Sequence, residues 1–133
     1  MKELKEFSDS EGKELVRMAR KAVTEFLRNE SKIDDSSFDS KFNFKSGVFV
    51  TLNKQDSLRG CIGYPLPEIK LSKGLVDAAI SAATQDPRFS PVTADELDKI
   101  VFEVTVLTPP VEVKVEQSSE YITEIKVGRD GLI

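Results

Sequence analysis

Residues 100–107, Ile-Val-Phe-Glu-Val-Thr-Val-Leu, alternate with a period of two. In an extended chain Ile100, Phe102, Val104 and Val106 fall on one side, and Val101, Glu103, Thr105 and Leu107 on the other. One side is uniformly apolar and the other is mixed. Such a strand has to be covered on one side by a second layer. Two stretches of helical period supply it. Ser8 and Glu11 have capping-box spacing, in which each side chain satisfies the other residue's free backbone N–H. Leu15, Met18, Ala19, Ala22, Val23, Phe26 and Leu27 then recur at helical spacing, with charges on most of the remaining wheel. This helix is expected to end between Asn29 and Lys32. A second helix is expected over Leu71–Gln85, where Leu75, Ala78, Ala79, Ala82 and Ala83 form a small-residue face suited to lying on a sheet.

Between the helices, Val48–Leu52 and Leu58–Tyr64 are short β-branched or apolar runs joined by a polar turn at 53–57, the pattern of an antiparallel hairpin. Pro65 and Pro67 end it. Residues 31–46 read as a polar surface connection pinned by Phe38, Phe42 and Phe44. Asp86-Pro87-Arg88-Phe89 is a turn with proline in its favoured second position. Thr93 and Glu96 cap a short helical turn over 94–98. A strand is expected over 111–116, and a hairpin at 125–133 that stops inside its second strand. The class is therefore α+β, a mainly antiparallel sheet packed with two long helices and one helical turn, in a single domain over 1–133.

Composition narrows the chemistry. The chain has 133 residues, no histidine and one cysteine, Cys61. An internal disulfide is impossible, and a reducing, cytoplasmic compartment is the expectation. Without histidine, Ser-His and Cys-His catalysis and imidazole metal sites drop out. A net charge of −4 argues against nucleic acid and anionic membrane as partners. No cofactor and no metal site is expected. Asp34, Asp35 and Asp39 lack the spacing and terminal glutamate of a calcium loop.

Leu58-Arg59-Gly60-Cys61-Ile62-Gly63 is the one dense segment. Glycine inside a strand marks a bulge or a close backbone approach. In a regular strand Arg59 and Cys61 share a side, with Leu58, Gly60 and Ile62 on the other, and a guanidinium near a thiol favours the thiolate. The plainer alternative is a packed thiol in a bulged strand.

L-R-G-C-I-G, an alanine-rich helix, D-P-R-F, the strand E-V-T-V-L-T-P-P and V-G-R-D-G-L-I at 127–133 together resemble the AMMECR1 family along essentially the whole chain. The resemblance implies an α+β fold with an antiparallel sheet, packed helices and a smaller subdomain. It implies no established activity. Genes of this kind often stand with, or are fused to, those for Memo-like and radical-SAM proteins, which makes such proteins the expected partners. Family members continue past Gly-Leu-Ile with further strand and helix, so a sheet edge left at Ile133 is expected either to pair between copies of the chain or to be rearranged.

Two functions follow as expectations. One is a binding or adaptor module docking through Arg59, Gly60, Cys61, Ile62 and Gly63, together with Asp86 and Arg88. The other is a small cysteine-dependent enzyme or modification factor, with Cys61 as nucleophile activated by Arg59 and Glu103 as a carboxylate on the mixed face of its strand.

Overall fold

The computed structural model describes residues 7–38 and 40–112. Helix α1 spans Asp9–Asn29 and α2 spans Leu71–Thr84. Strands β1 (Gly47–Lys54), β2 (Ser57–Tyr64) and β3 (Ile100–Leu107) form an antiparallel sheet in the order β2-β1-β3. Three short 3-10 turns, Asp35–Ser37, Ser40–Phe42 and Ala94–Lys99, complete the architecture. The class is α+β, as the residues imply. The expected strand at 111–116, from residue 113 on, and the hairpin at 125–133 lie outside the described residues.

Helix α1 begins where its cap predicts. Ser8 N–H donates to Glu11 Oε1 at 3.1 Å, and Glu11 N–H donates to Ser8 Oγ at 3.2 Å. It ends at Glu30, whose φ of 53° is left-handed and whose N–H reaches the Phe26 carbonyl. A residue with a Cβ is strained there, and glycine is the usual occupant. Glu30→Gly should therefore stabilise the fold by about 1 kcal/mol, read as a raised urea midpoint with unchanged slope. No gain in midpoint would contradict this capping geometry.

The two helices cover one side of the sheet. Helix α2 lies on β1 and β2, and α1 packs beside α2 and reaches β3. Val48, Val50 and Leu52 of the central strand are fully buried beneath them, as are Leu71, Leu75, Ala78 and Ala79 of α2. The alternation of β3 holds: Ile100 and Phe102 are buried, while Val101 is 65% exposed. Phe42 is fully buried, with the Phe7 ring 6.2 Å away, so the connection after α1 is anchored in the core. Arg20 ties α1 to the start of β3. Its guanidinium donates to the carbonyls of Leu97 (2.9 Å) and Ile100 (2.6 Å) and lies 4.6 Å from the Phe102 ring centre.

The hairpin is tighter than a 53–57 turn. Pairing continues to Lys54 and Ser57, and only Gln55 and Asp56 turn the chain, with φ of 51° and 62°. Two consecutive left-handed residues match the twist of the flanking strands.

Candidate functional site

Strand β2 is irregular where its sequence is unusual. Leu52 pairs with Gly60 and Asn53 with Leu58, so Arg59 is the extra residue of a β-bulge. This corrects one expectation. Leu58 does not sit on the side of Gly60 and Ile62. The inserted residue shifts the register and brings Leu58 to the side of Asn53, Thr51 and Cys61, where it is 39% exposed.

The two glycines are steric requirements. A Cβ on Gly60 would stand 2.1 Å from the Ala82 carbonyl oxygen of α2. On Gly63 it would stand 2.4 Å from the Phe49 ring and from the Val48 carbonyl oxygen. Gly60 lets α2 settle on β2, and Gly63 leaves room on the opposite side for the aromatic ring of its cross-strand partner. Ile62, paired with Val50, faces the helices and is half-buried.

The Arg59 guanidinium is held away from the strand by four hydrogen bonds. Nε and Nη2 donate to the two carboxylate oxygens of Glu96 at 3.1 and 3.2 Å. Nη1 donates to the Ser90 carbonyl at 2.7 Å, and Nη2 also donates to that of Pro91 at 3.2 Å. Lys54 reaches the same carboxylate at 2.8 Å, and Thr93 donates to it from both its N–H and its hydroxyl. Arg59 and then Lys54 hold the Glu96 carboxyl far below the usual carboxylate range.

Cys61 is half-buried and lies opposite Thr51. The two side chains meet, Sγ to Oγ1 at 3.2 Å. The Cys61 N–H points away from β1 and donates to Asp86 Oδ2 at 3.0 Å. Its pairing with Thr51 is therefore of the non-hydrogen-bonded kind, in which side chains stand closest. Asp86 is buried, 5% exposed, and caps the outer edge of the strand. It also accepts from Arg88: from the backbone N–H at 3.1 Å and Nε at 3.0 Å on Oδ1, and from Nη2 at 2.8 Å on Oδ2. These bonds, the Arg88 side chain first and the Cys61 N–H second, push the Asp86 carboxyl far below its ordinary value. Arg88 is raised in turn, chiefly by Asp86 and least by Cys61.

The candidates thus divide by place. Cys61, Asp86 and Arg88 converge at one point on the edge of β2. Arg59 belongs to a second cluster around Glu96. Glu103 is exposed on β3, in the ladder row Cys61-Thr51-Glu103, with Thr51 between it and the cysteine. Sequence reasoning did not single out Thr51 as part of the site, and took Glu96 only for a helix cap. The signal available for Thr51 was its place in the strand preceding the hexapeptide; Glu96, beyond α2, carried none.

The AMMECR1 family profile matches residues 16–133. A protein of Methanothermobacter thermautotrophicus is 51% identical over 129 residues, covering 95% of this chain and 66% of the relative. A protein of Methanocaldococcus jannaschii is 50% identical over 125 residues, covering 92% of this chain and 62% of the relative. The crystal structure of an uncharacterized protein from Pyrococcus horikoshii superposes with a TM-score of 0.87 at 42% identity, covering 92% of this chain and 63% of that one. The chain thus spans a little under two thirds of the length of the proteins it matches. With a profile match over most of its length and relatives about 50% identical across it, the chain belongs to the AMMECR1 family.

Proposed function

We propose that the chain is a binding or adaptor module that works with Memo-like and radical-SAM proteins. Its docking surface would be the edge of β2 at Cys61–Gly63 together with the Asp86–Arg88 turn. One observation carries this reading: Asp86 clamps the Cys61 backbone and the Arg88 side chain into one fixed unit. That carboxylate, held far below its ordinary range, is a poor proton acceptor at neutral pH, and so is Glu96. Fixed geometry in which neither of these two carboxylates is a poised base suits recognition better than turnover. Among the described residues no helix is long and apolar enough to cross a membrane, and none of these groups calls for one.

A cysteine-dependent activity is the second reading, favoured by the ladder row that places the Thr51 hydroxyl between Cys61 and Glu103. In that reading Glu103 takes the thiol proton through Thr51, and Arg59 acts on the strand's geometry through Glu96.

Complementation separates the two. Cys61→Ser keeps the shape of the side chain and a contact with Thr51. A deletion strain carrying Cys61→Ser should recover fully, and Glu103→Gln should leave the alkylation rate of Cys61 unchanged. A null phenotype from a Cys61→Ser protein of unchanged melting temperature would instead make the thiol a reacting group.

A further inference from the structure

Arg88 is the most exposed part of the Asp86 cluster. Its side chain is 56% exposed, against 3% for Asp86. Two of its nitrogens are fixed on the carboxylate, and its Cζ lies 5.4 Å from the Phe89 ring centre. Nη1 has no hydrogen-bond acceptor among the described residues. A guanidinium has five donors in one plane, and Asp86 takes one on Nε and one on Nη2. Both Nη1 donors remain, along with the second on Nη2, and they aim at solvent from an arginine that has already lost its rotamer freedom. That is a preorganised receptor for an oxyanion.

We propose that Arg88 receives a carboxylate of an acidic peptide segment presented by a docking protein, beside Cys61. This rests on the binding-module reading and names the chemistry of its partner. The surroundings favour a group carried on another chain over an enclosed small molecule. The Arg88 side chain is more than half exposed, so its free donors are open to solvent. An exposed arginine on open surface can be reached by a protruding side chain, whereas small ligands need enclosure. A nucleic-acid backbone requires several cations in register. A single carboxylate needs only one guanidinium fork.

The test is an NMR titration of the full chain, following the Arg88 Nε–H and the Cys61 and Arg88 amides. The probes are an acetylated, amidated tetra-glutamate peptide, its tetra-glutamine counterpart and inorganic phosphate. Saturable shifts at these three signals with the glutamate peptide alone are expected, and about tenfold weaker binding in Arg88→Gln. Arg88→Lys keeps the charge without the planar fork, so it guards against a folding defect and should lose most of the affinity too. Absence of saturation, equal binding in both variants, or saturation by phosphate and not by the peptide would each overturn the proposal. Partner capture separates the two readings. If wild type captures neither a Memo-like nor a radical-SAM protein, the adaptor reading fails. If Arg88→Gln captures them as well as wild type does, only the carboxylate receptor fails.

Discussion

Gly60→Ala should cost about 3 kcal/mol or more, a large part of the 5–15 kcal/mol by which a domain is ordinarily stable. The added methyl would stand 2.1 Å from a backbone oxygen, that of Ala82, and no rotamer change can relieve a clash between Cβ and main chain. The only relief is to lift α2 off the sheet, which opens the core around Leu75, Ala78, Ala79 and the buried side of β1. Gly12→Ala is the matched control. Gly12 lies in the helical α1 with nothing within 4 Å of its Cβ position, so alanine there should stabilise by about 0.5–1 kcal/mol. Urea unfolding of the two variants should move in opposite directions. If Gly60→Ala unfolds within a few tenths of a kcal/mol of wild type, the close seat of α2 on β2 is not real. The result also bears on function. It would make the glycine at the centre of the hexapeptide a packing requirement, leaving the outward Cys61–Arg88 corner for recognition.

What was legible in the residues is what local chemistry decides. The Ser8–Glu11 capping box sets the start of α1, the alanine face of α2 sets its seat, and the alternation of 100–107 sets both sides of β3. The rest depends on partners distant in sequence. Arg59 finds Glu96, 37 residues on, and the Cys61 N–H finds Asp86, 25 residues on. Hydrophobic periodicity carries no trace of either. The glycines announced an irregular strand, but not that the extra residue would be Arg59, nor that Leu58 would change sides. Left-handed Glu30 and Gln55 were equally silent, because residue types with little preference for that conformation occupy it, and Asp56 alone is of a type enriched there. In the site itself, the cysteine and its two flanking glycines were visible as a set. The activating cation was expected at Arg59, with the Asp86–Arg88 turn as a second guanidinium; the structure commits Arg59 to Glu96 and leaves Arg88, through Asp86, as the cation at the cysteine.

Glu96→Gln should destabilise the chain by about 2–4 kcal/mol at neutral pH, because it removes the charge that two cations share while leaving both in place. Arg59 is 15% exposed at its side chain and Lys54 30%, so neither is fully free to take water as a substitute. The loss should also carry a pH signature. Glu96 is depressed from an ordinary 4.5, so its contribution is fully present above that value and disappears as pH falls below it. Asp86, depressed from 3.8, acts in the same direction. Wild-type stability should therefore fall steadily from about pH 4.5 downward, and Glu96→Gln should show a shallower fall, with the Asp86 part remaining. Stability curves from urea unfolding at pH 7, 5, 4, 3 and 2.5 would measure both slopes. Parallel curves would mean that Glu96 is no more strongly held in the folded chain than in the unfolded one. Arg59 would then rest mainly on the Ser90 and Pro91 carbonyls, and the reading in which it activates Cys61 would gain ground. A converging pair would fix Arg59 as the strap that joins the bulge of β2 to the turn before β3, and would leave Arg88 as the cation at the cysteine.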